Sequence, residues 1–240
     1  LGRIHAQYGL RASAYLWKVF PDFRNELLDL NGIRHIIKPE FVAWMSHSNR
    51  SSDELYPFDP DVESIDDFDG ALFALRQRWQ TKRGAPGKRR VVDWLKLDVE
   101  AGVFNDGRST DTTNGFISFS RPEHSTSRNF LNTAMIWRIN DATVLLSEMN
   151  YDLNDREVDV FDIGLQVNRT PRLSYGIDYR FIEETKSNLL GLGLNYRVDQ
   201  KHTLGFREVF DLARGDTLDF SVAYIRKYPR WYVALVFELD

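Results

Sequence analysis

The sequence predicts an all-β fold, an antiparallel up-and-down meander of about twelve long strands. Apolar residues recur at every second position over long stretches, which is the period of a strand with one apolar face. Turn-forming residues separate these stretches at regular intervals. No segment predicts a helix with comparable clarity.

The first half of the chain is predicted to hold four strands, at about 3–18, 33–47, 71–83 and 90–104. Their connections are three loops and one basic turn, at 21–31, 49–69, 106–127 and 83–90 respectively. Pro39 falls in the second strand, and proline is tolerated in a sheet near a strand start or at a bulge. The two longest loops follow the second and fourth strands, so both are expected at one end of the sheet.

The second half, from Phe130 to Asp240, reads as strand and short turn eight times over. The clearest strand is 190–199, in which the even-numbered residues are apolar and the odd-numbered ones are Gly, Asn, Arg and Asp. The strand at 203–212 is less regular, because Glu208 falls on its apolar face. Short turns between consecutive strands predict antiparallel hairpins.

Composition excludes several classes of protein. The chain has 240 residues, no cysteine, and 31 basic against 35 acidic residues, a net charge of −4. Such a balance gives no indication of a nucleic-acid partner, and without cysteine there is no disulfide framework or thiolate metal site. The five histidines accompany no Gly-x-Ser-x-Gly nucleophile elbow. We therefore expect no enzymatic activity, no cofactor and no metal centre.

Alternation alone fits either a soluble β-sandwich that acts as a binding module or a membrane-spanning β-barrel. Most predicted strands have ten or more residues, whereas soluble strands average about 5–6 and tilted membrane strands need about 9–11. The polar faces combine Gly with charges of both signs, as a water-filled lumen allows. Aromatic residues gather beside the turns at one end, as in a membrane-interface girdle: Trp17, Trp79, Trp94, Trp137, Tyr228 and Trp231. These three features favour a transmembrane barrel.

Loop lengths orient this barrel, since outer-membrane barrels place long loops outside and short turns in the periplasm. The twelfth strand would then end outside at Asp240. We expect at least one further strand after Asp240, and earlier strands before Leu1, because bare strand edges are not stable in lipid. Residues 1–240 are thus predicted to be a partial barrel domain.

Charged residues on the predicted polar faces are the candidates for lumen-facing sites: Arg76, Arg78, Lys82, Lys96, Asp98, Glu100, Arg138, Asp178, Arg180, Arg197 and Arg207. They could guide a phosphorylated sugar headgroup, or they could be paired across strands and merely keep the lumen hydrated. The acidic stretch 51–70 could hold a divalent cation, although a solvated loop fits its spacing better.

A family resemblance lies in the segments 31–41, 53–61, 75–84 and 91–99. The first carries the pattern Arg34-His35-x-x-x-Pro39, and the second is an acidic, aromatic loop. Together they resemble the C-terminal barrel region of the LPS-assembly protein LptD (organic-solvent-tolerance protein) family. His35 could act as a pH switch or catalytic group, but a structural role at the rim, with a bulge at Pro39, is favoured.

The resemblance implies a Gram-negative outer-membrane protein that inserts lipopolysaccharide into the outer leaflet through a polar lumen and a lateral gate. Its implied partners are lipopolysaccharide, the lipid bilayer, a plug lipoprotein similar to LptE and a periplasmic bridge protein similar to LptA. The family's N-terminal periplasmic domain and its usual cysteines are not seen in this sequence. A porin-like channel or transporter of small solutes is the alternative interpretation.

Overall fold

The computed structural model describes residues 4–50, 69–105 and 129–239. Every regular element in these residues is a β-strand, and none is a helix. The thirteen strands are β1 (His5–Ser13), β2 (Leu16–Asn25), β3 (Leu30–Ser48), β4 (Gly70–Arg83), β5 (Arg90–Phe104), β6 (Phe130–Arg138), β7 (Thr143–Asp152), β8 (Glu157–Thr170), β9 (Leu173–Ile182), β10 (Ser187–Arg197), β11 (His202–Asp211), β12 (Asp216–Lys227) and β13 (Tyr232–Leu239).

All thirteen strands belong to one antiparallel sheet. From β2 onwards each strand pairs with the next along the chain, and β1 also pairs with β3. The sheet is open: β1 and β2 share one edge, β13 forms the other, and the described strands of the two edges do not pair with each other. The predicted meander is confirmed, including the eight strands from Phe130 onwards. The ends of β3 and β5 lie together with the starts of β4 and β6, at the end of the sheet where the sequence predicts the two longest loops; it is here called the long-loop end.

Strands β1 and β2 follow one register along β3 and are interrupted at a single point. Ser13 pairs with Glu40 and Leu16 with Ile37, so no residue is gained or lost between the two strands. The N–H of Ala14 donates to the carbonyl of Pro39 at 3.2 Å, but proline has no N–H to donate in return. The structure therefore has thirteen strands where twelve were predicted because the first predicted strand is broken in two, and the break lies opposite Pro39.

The expected position of Pro39, near a strand start or at a bulge, is wrong. β3 begins at Leu30, and Pro39 lies mid-strand between residues that pair regularly with β4, where Pro39 itself faces Leu75. Its missing donor faces the edge strand, so the ladder toward β4 is intact. β3 accommodates Pro39 because only one backbone hydrogen bond, the one toward the edge strand, is missing.

Replacing Pro39 by valine should join β1 and β2 into one continuous strand. The new N–H at position 39 would donate to the Ala14 carbonyl, and a hydrogen bond of about 1 kcal/mol slows local amide exchange about fivefold. Hydrogen-exchange mass spectrometry of the segment 11–17 measures this, with Ala43→Val in the same strand as the control. Unchanged exchange in the Pro39→Val variant would show that the proline does not cause the break.

The predicted loop at 21–31 is mostly strand. β2 continues to Asn25 and β3 begins at Leu30, which leaves a four-residue turn. The chain absorbs Pro21 through a shift of register between Phe20 and Arg24. Gly32, opposite this shift, has a φ of 72°, a conformation that glycine adopts without strain. The sequence predicts a loop from residue 21, but an edge strand tolerates a proline at a bulge and continues past it.

Several hairpin turns are closed by an acidic residue at the end of the preceding strand or just after it. The carboxylate of Asp199 accepts hydrogen bonds from the N–H groups of Lys201, at 2.7 Å, and His202, at 2.9 Å. The N–H of Lys201, above all, holds the pKa of Asp199 below its ordinary value. Asp152 and Asp211 close their own turns in the same way. The turn residues seen in the sequence therefore fix the hairpins by side-chain capping.

Arg83 links three turns at the opposite end, here called the short-turn end. The residue is 1% exposed, and its guanidinium donates to the carbonyls of Leu28 at 3.1 Å, Arg138 at 2.9 Å and Ile139 at 2.8 Å. A carboxylate oxygen of Asp141 lies 3.5 Å away. One buried side chain thus holds the β2–β3 and β6–β7 turns against the end of β4.

Candidate functional site: the polar face of the sheet

The pairing register brings all eleven predicted polar-face residues to one face of the sheet. Residues paired directly across an antiparallel ladder point to the same side. Arg76 pairs with Asp98, Asp162 with Arg180, and Gly193 with Arg207, and alternation along each strand places the rest. The residues on this face are Arg76, Arg78, Lys82, Lys96, Asp98, Glu100, Arg138, Asp178, Arg180, Arg197 and Arg207.

The opposite face is apolar, and no second layer of described residues covers it. Leu235 is 63% exposed, Ile177 46% and Leu192 37%. All substantial contacts between described strands join neighbours in the sheet. Away from the strand ends, the charged side chains that the register assigns to this face are Lys18 and Glu208. The sheet therefore separates a charged surface from an apolar one across a single layer.

Glu40 is the centre of a charge cluster on the polar face near the β1 edge. Its side chain is 6% exposed and pairs with Arg11 of β1, with Lys38 at 3.1 Å and with Arg76 at 3.5 Å. Arg76 also contacts Glu100 at 2.9 Å and Asp98 at 3.7 Å. This cluster joins four strands, and sequence reasoning missed Glu40 because nothing in its own strand shows that three cations converge on it.

Replacing Glu40 by glutamine should destabilise the sheet by about 1–2 kcal/mol, because charge-assisted hydrogen bonds to Arg11 and Lys38 would be lost. Both cations can still reach water, so the penalty stays below that of a fully buried pair. Urea titration of the folded protein measures the change. Glu238→Gln on the same face is the comparison, because Glu238 is exposed and forms no ion pair with a described residue. An equal loss in both variants would contradict the central role of Glu40.

A second charge cluster lies on β4 and β5, closer to the short-turn end. Asp93 accepts a hydrogen bond from the amide of Gln80 at 2.9 Å and contacts Lys96 at 3.2 Å and Arg78 at 3.7 Å. Arg138 of β6 donates to the backbone carbonyl of Asp93 at 3.2 Å. Basic groups therefore surround one carboxylate here as well.

Cross-strand pairing accounts for most of the polar-face charges. Arg180 lies 3.5 Å from Asp162, and Arg207 lies 3.4 Å from Asp219. Four of the predicted residues have no ion pair with any residue in the described ranges: Lys82, Arg138, Asp178 and Arg197. Ion pairing favours a structural role for the paired residues. The three cations without an ion pair, Lys82, Arg138 and Arg197, remain able to bind an anion.

Glycines on the polar face make room for Asp178. A Cβ at Gly191 would lie 2.5 Å from the carboxylate of Asp178, and one at Gly176 would lie 2.7 Å from the amide oxygen of Gln166. The sequence showed that glycines share this face but not which side chains occupy the space above them. Because the glycines have no side chain, the polar side chains of neighbouring strands can lie across their backbone.

An aromatic cluster on the polar face was not predicted. Trp44, Phe104 and Phe130 are buried together, with Val42 and Leu72 packed against them, near the long-loop end. Gly70 and Gly102 permit this packing, since a Cβ at either would lie within 3 Å of an aromatic ring. The signal was present as consecutive apolar residues at 41–45, which make both faces of β3 apolar there. At this end the polar face is therefore partly apolar.

The aromatic girdle is observed in part. Trp94 and Trp137 pack edge to face with ring centres 6.4 Å apart, and Tyr228 and Trp231 stack at 4.0 Å, all at the short-turn end. Trp17 departs from the expectation. It pairs with Ile36 and so lies on the polar face, 63% exposed. Alternation within the predicted strand 3–18 places Trp17 on the same face as Arg11, and the continuous register of β1 and β2 along β3 keeps it there.

The Arg34-His35 pair does not lie at a strand start, as was expected. Arg34 is exposed on the polar face, whereas His35 lies on the apolar face. The imidazole stacks on Trp79 with ring centres 4.4 Å apart, and its Nε2 lies 3.1 Å from the amide oxygen of Gln77. His35 is thus packed as part of the sheet surface.

In the described part of the chain, no group of three or more His, Asp or Glu side chains could hold a metal ion. Residues 51–68 of the acidic stretch lie outside the described residues. No helix among the described residues is long and apolar enough to cross a membrane. In comparisons with known proteins, the chain matches no family model and no curated protein.

Proposed function

We propose that this chain is part of a Gram-negative outer-membrane β-barrel that inserts lipopolysaccharide into the outer leaflet. The observation that supports this most is the single sheet of thirteen antiparallel strands whose apolar face is uncovered by other described elements. A contiguous apolar surface of this size is unfavourable in water, and a bilayer would cover it. The resemblance to the LptD family supplies the specific cargo.

The dimensions of the sheet suit a bilayer. Strands β3, β4 and β5 have 19, 14 and 15 residues, more than a tilted strand needs to cross a hydrocarbon core of about 30 Å. In lipid, the edges at β1 and β13 need strand partners, since unpaired N–H and C=O groups are costly there. The proposal therefore requires that both edges be paired in the membrane.

The polar face has the chemistry to bind a phosphorylated headgroup. Lys82, Arg138 and Arg197 carry positive charge without an ion pair among the described residues. Arginine and lysine both bind phosphate oxygens, and arginine can do so with two parallel hydrogen bonds. Acyl chains would remain on the lipid side while the headgroup crosses the hydrated lumen.

Site-specific photo-crosslinking in cells tests this proposal. A photoreactive residue at Arg197 would face the lumen, and one at the adjacent Tyr196 would face lipid in the leaflet beside the short turns. That leaflet holds phospholipid, so we expect a lipopolysaccharide adduct at position 197 and none at position 196. A lumen without this adduct, combined with steady ion conductance of the protein in planar bilayers, would instead establish the porin-like alternative.

A further inference from the structure

Three neighbouring turns at the short-turn end carry a set of basic side chains, here called the basic rim. In and beside the turns β8–β9, β10–β11 and β12–β13, residues 169–172, 198–202 and 226–231 include six Lys or Arg and one acidic residue, Asp199. All six are exposed, and none forms an ion pair with a residue in the described ranges: Arg169, Arg172, Lys201, Arg226, Lys227 and Arg230. The rim therefore has a positive charge that the described residues do not balance.

The other end of the same strands has the opposite charge. The turns β7–β8, β9–β10 and β11–β12, with the residues beside them at 152–157, 183–187 and 211–216, carry seven Asp or Glu and three Lys or Arg. Lys186 and Arg214 there pair with carboxylates of their own turns. A surface that needs only to be soluble mixes the two signs. Here they are separated along the strands, which indicates that the short-turn end faces an anionic partner.

Arg226 connects the basic rim to the apolar face. It is directly opposite His202 of β11 and Val233 of β13, and this register places it on that face. Its guanidinium carbon lies 4.9 Å from the centre of the Tyr228 ring, two residues nearer the turn, and that ring stacks on Trp231 at 4.0 Å. The charge is thus directed toward the end of the apolar surface, where an arginine can cover apolar groups and keep its charge hydrated.

Backbone hydrogen bonds hold the neighbouring turns side by side. The N–H of Arg197 donates to the carbonyl of Arg172, and the N–H of Lys227 to the carbonyl of Lys201, both at 2.7 Å. From β8 to β13 the rim spans five strand spacings, about 24 Å. A row of this length matches a surface of many small anions better than a single ion. A further strand beside β13 would extend the sheet without covering the turns at 169–172 and 198–202.

We propose that the basic rim binds the headgroups of anionic phospholipids. Its cations pair with lipid phosphates, and Tyr228 and Trp231 lie at the headgroup level, where aromatic rings are favoured. This inference rests on the proposed function, in which the short turns lie beside the phospholipid leaflet. An acidic protein segment would match the charge alone, whereas a lipid surface also matches the apolar and aromatic surface that adjoins it.

Electron spin resonance of spin-labelled phospholipids tests this in vesicles that contain the protein, because labels in contact with protein give a separate, slowed component. We expect labelled phosphatidylglycerol to associate about fivefold more strongly than labelled phosphatidylcholine. The triple variant Arg172→Gln, Lys201→Gln, Arg226→Gln, with one change beside each turn, should reduce the preference to below about twofold. Salt at about 1 M should weaken it in the wild type, since charges are then screened within about 3 Å.

The matched control is the triple variant Arg156→Gln, Lys186→Gln, Arg214→Gln. It removes three positive charges from the other end of the same strands, again one in each turn, and should keep the preference. The slowed component of phosphatidylcholine reports whether each variant has entered the bilayer. Equal losses in the two triple variants would overturn the lipid site, because net charge alone would then account for the preference.

The remaining outcomes separate this inference from the proposed function. A chain that gives no slowed component with either lipid would overturn both. A slowed component with equal association of the two lipids in the wild type would overturn the lipid site alone. If the wild type then bound polyglutamate and the Arg172, Lys201 and Arg226 variant did not, the partner of the rim would be an acidic protein segment instead.

Discussion

Replacing Ile177 by arginine should destabilise the protein in lipid vesicles by about 2–4 kcal/mol, the cost of a cation at the lipid face near the bilayer midplane. Ile177 lies in the middle of β9, is 46% exposed on the apolar face, and is opposite Leu165 and Leu192, which offer an arginine no ion pair. In water an arginine at so exposed a position would cost little, because its guanidinium would be solvated. Urea titration of the vesicle-bound protein measures the effect.

Asn195→Arg is the matched control for this variant. Asn195 lies in the neighbouring strand β10, is exposed, and is on the polar face opposite Gly205 of β11. The same side chain should change the free energy of unfolding there by less than about 0.5 kcal/mol. Equal effects of the two substitutions would contradict the assignment of the apolar face to lipid.

Replacing Arg83 by methionine should cost about 3–5 kcal/mol, because the backbone carbonyls of Leu28, Arg138 and Ile139 would lose their shared buried donor. Methionine keeps much of the side-chain volume, so lost hydrogen bonds account for most of the change. Equilibrium unfolding in urea measures it, and faster amide exchange in the turns at 26–29 and 139–142 should accompany it.

Arg90→Met provides the comparison, since Arg90 contacts the same Asp141 carboxylate at 3.0 Å but its side chain is 69% exposed. An exposed ion pair contributes about 0–1 kcal/mol. If Arg83→Met cost no more than Arg90→Met, the three backbone contacts would not hold the turns together.

The strands and their faces could be read from the sequence because side-chain period and turn chemistry are local properties. The predicted strand at 190–199 corresponds to Ser187–Arg197, with the same residues on each face. Prolines were harder to place. Pro21 and Pro39 both lie inside strands. Pro21 is tolerated at a bulge, and Pro39 is tolerated because the N–H that it lacks would face the edge strand.

The contacts between strands could not be predicted, because they depend on register and on how long side chains cross a ladder. Arg76 is directly opposite Asp98, yet its shorter contact is with the diagonal neighbour Glu100, 2.9 Å against 3.7 Å. Glu40 and Arg83 matter through groups 29 and 55 residues away in sequence. No local pattern reports contacts at such separations.

The central claim is that the apolar face meets acyl chains, and a nitroxide scan along β10 in lipid vesicles tests it most directly. Labels at positions 190, 192, 194 and 196 should be accessible to oxygen, which concentrates in the bilayer, and labels at 193, 195 and 197 to a water-soluble nickel complex. This would give an alternation with a period of two residues. Labels on the apolar face that neither reagent reaches would show that a second protein layer covers the sheet, and would contradict the account.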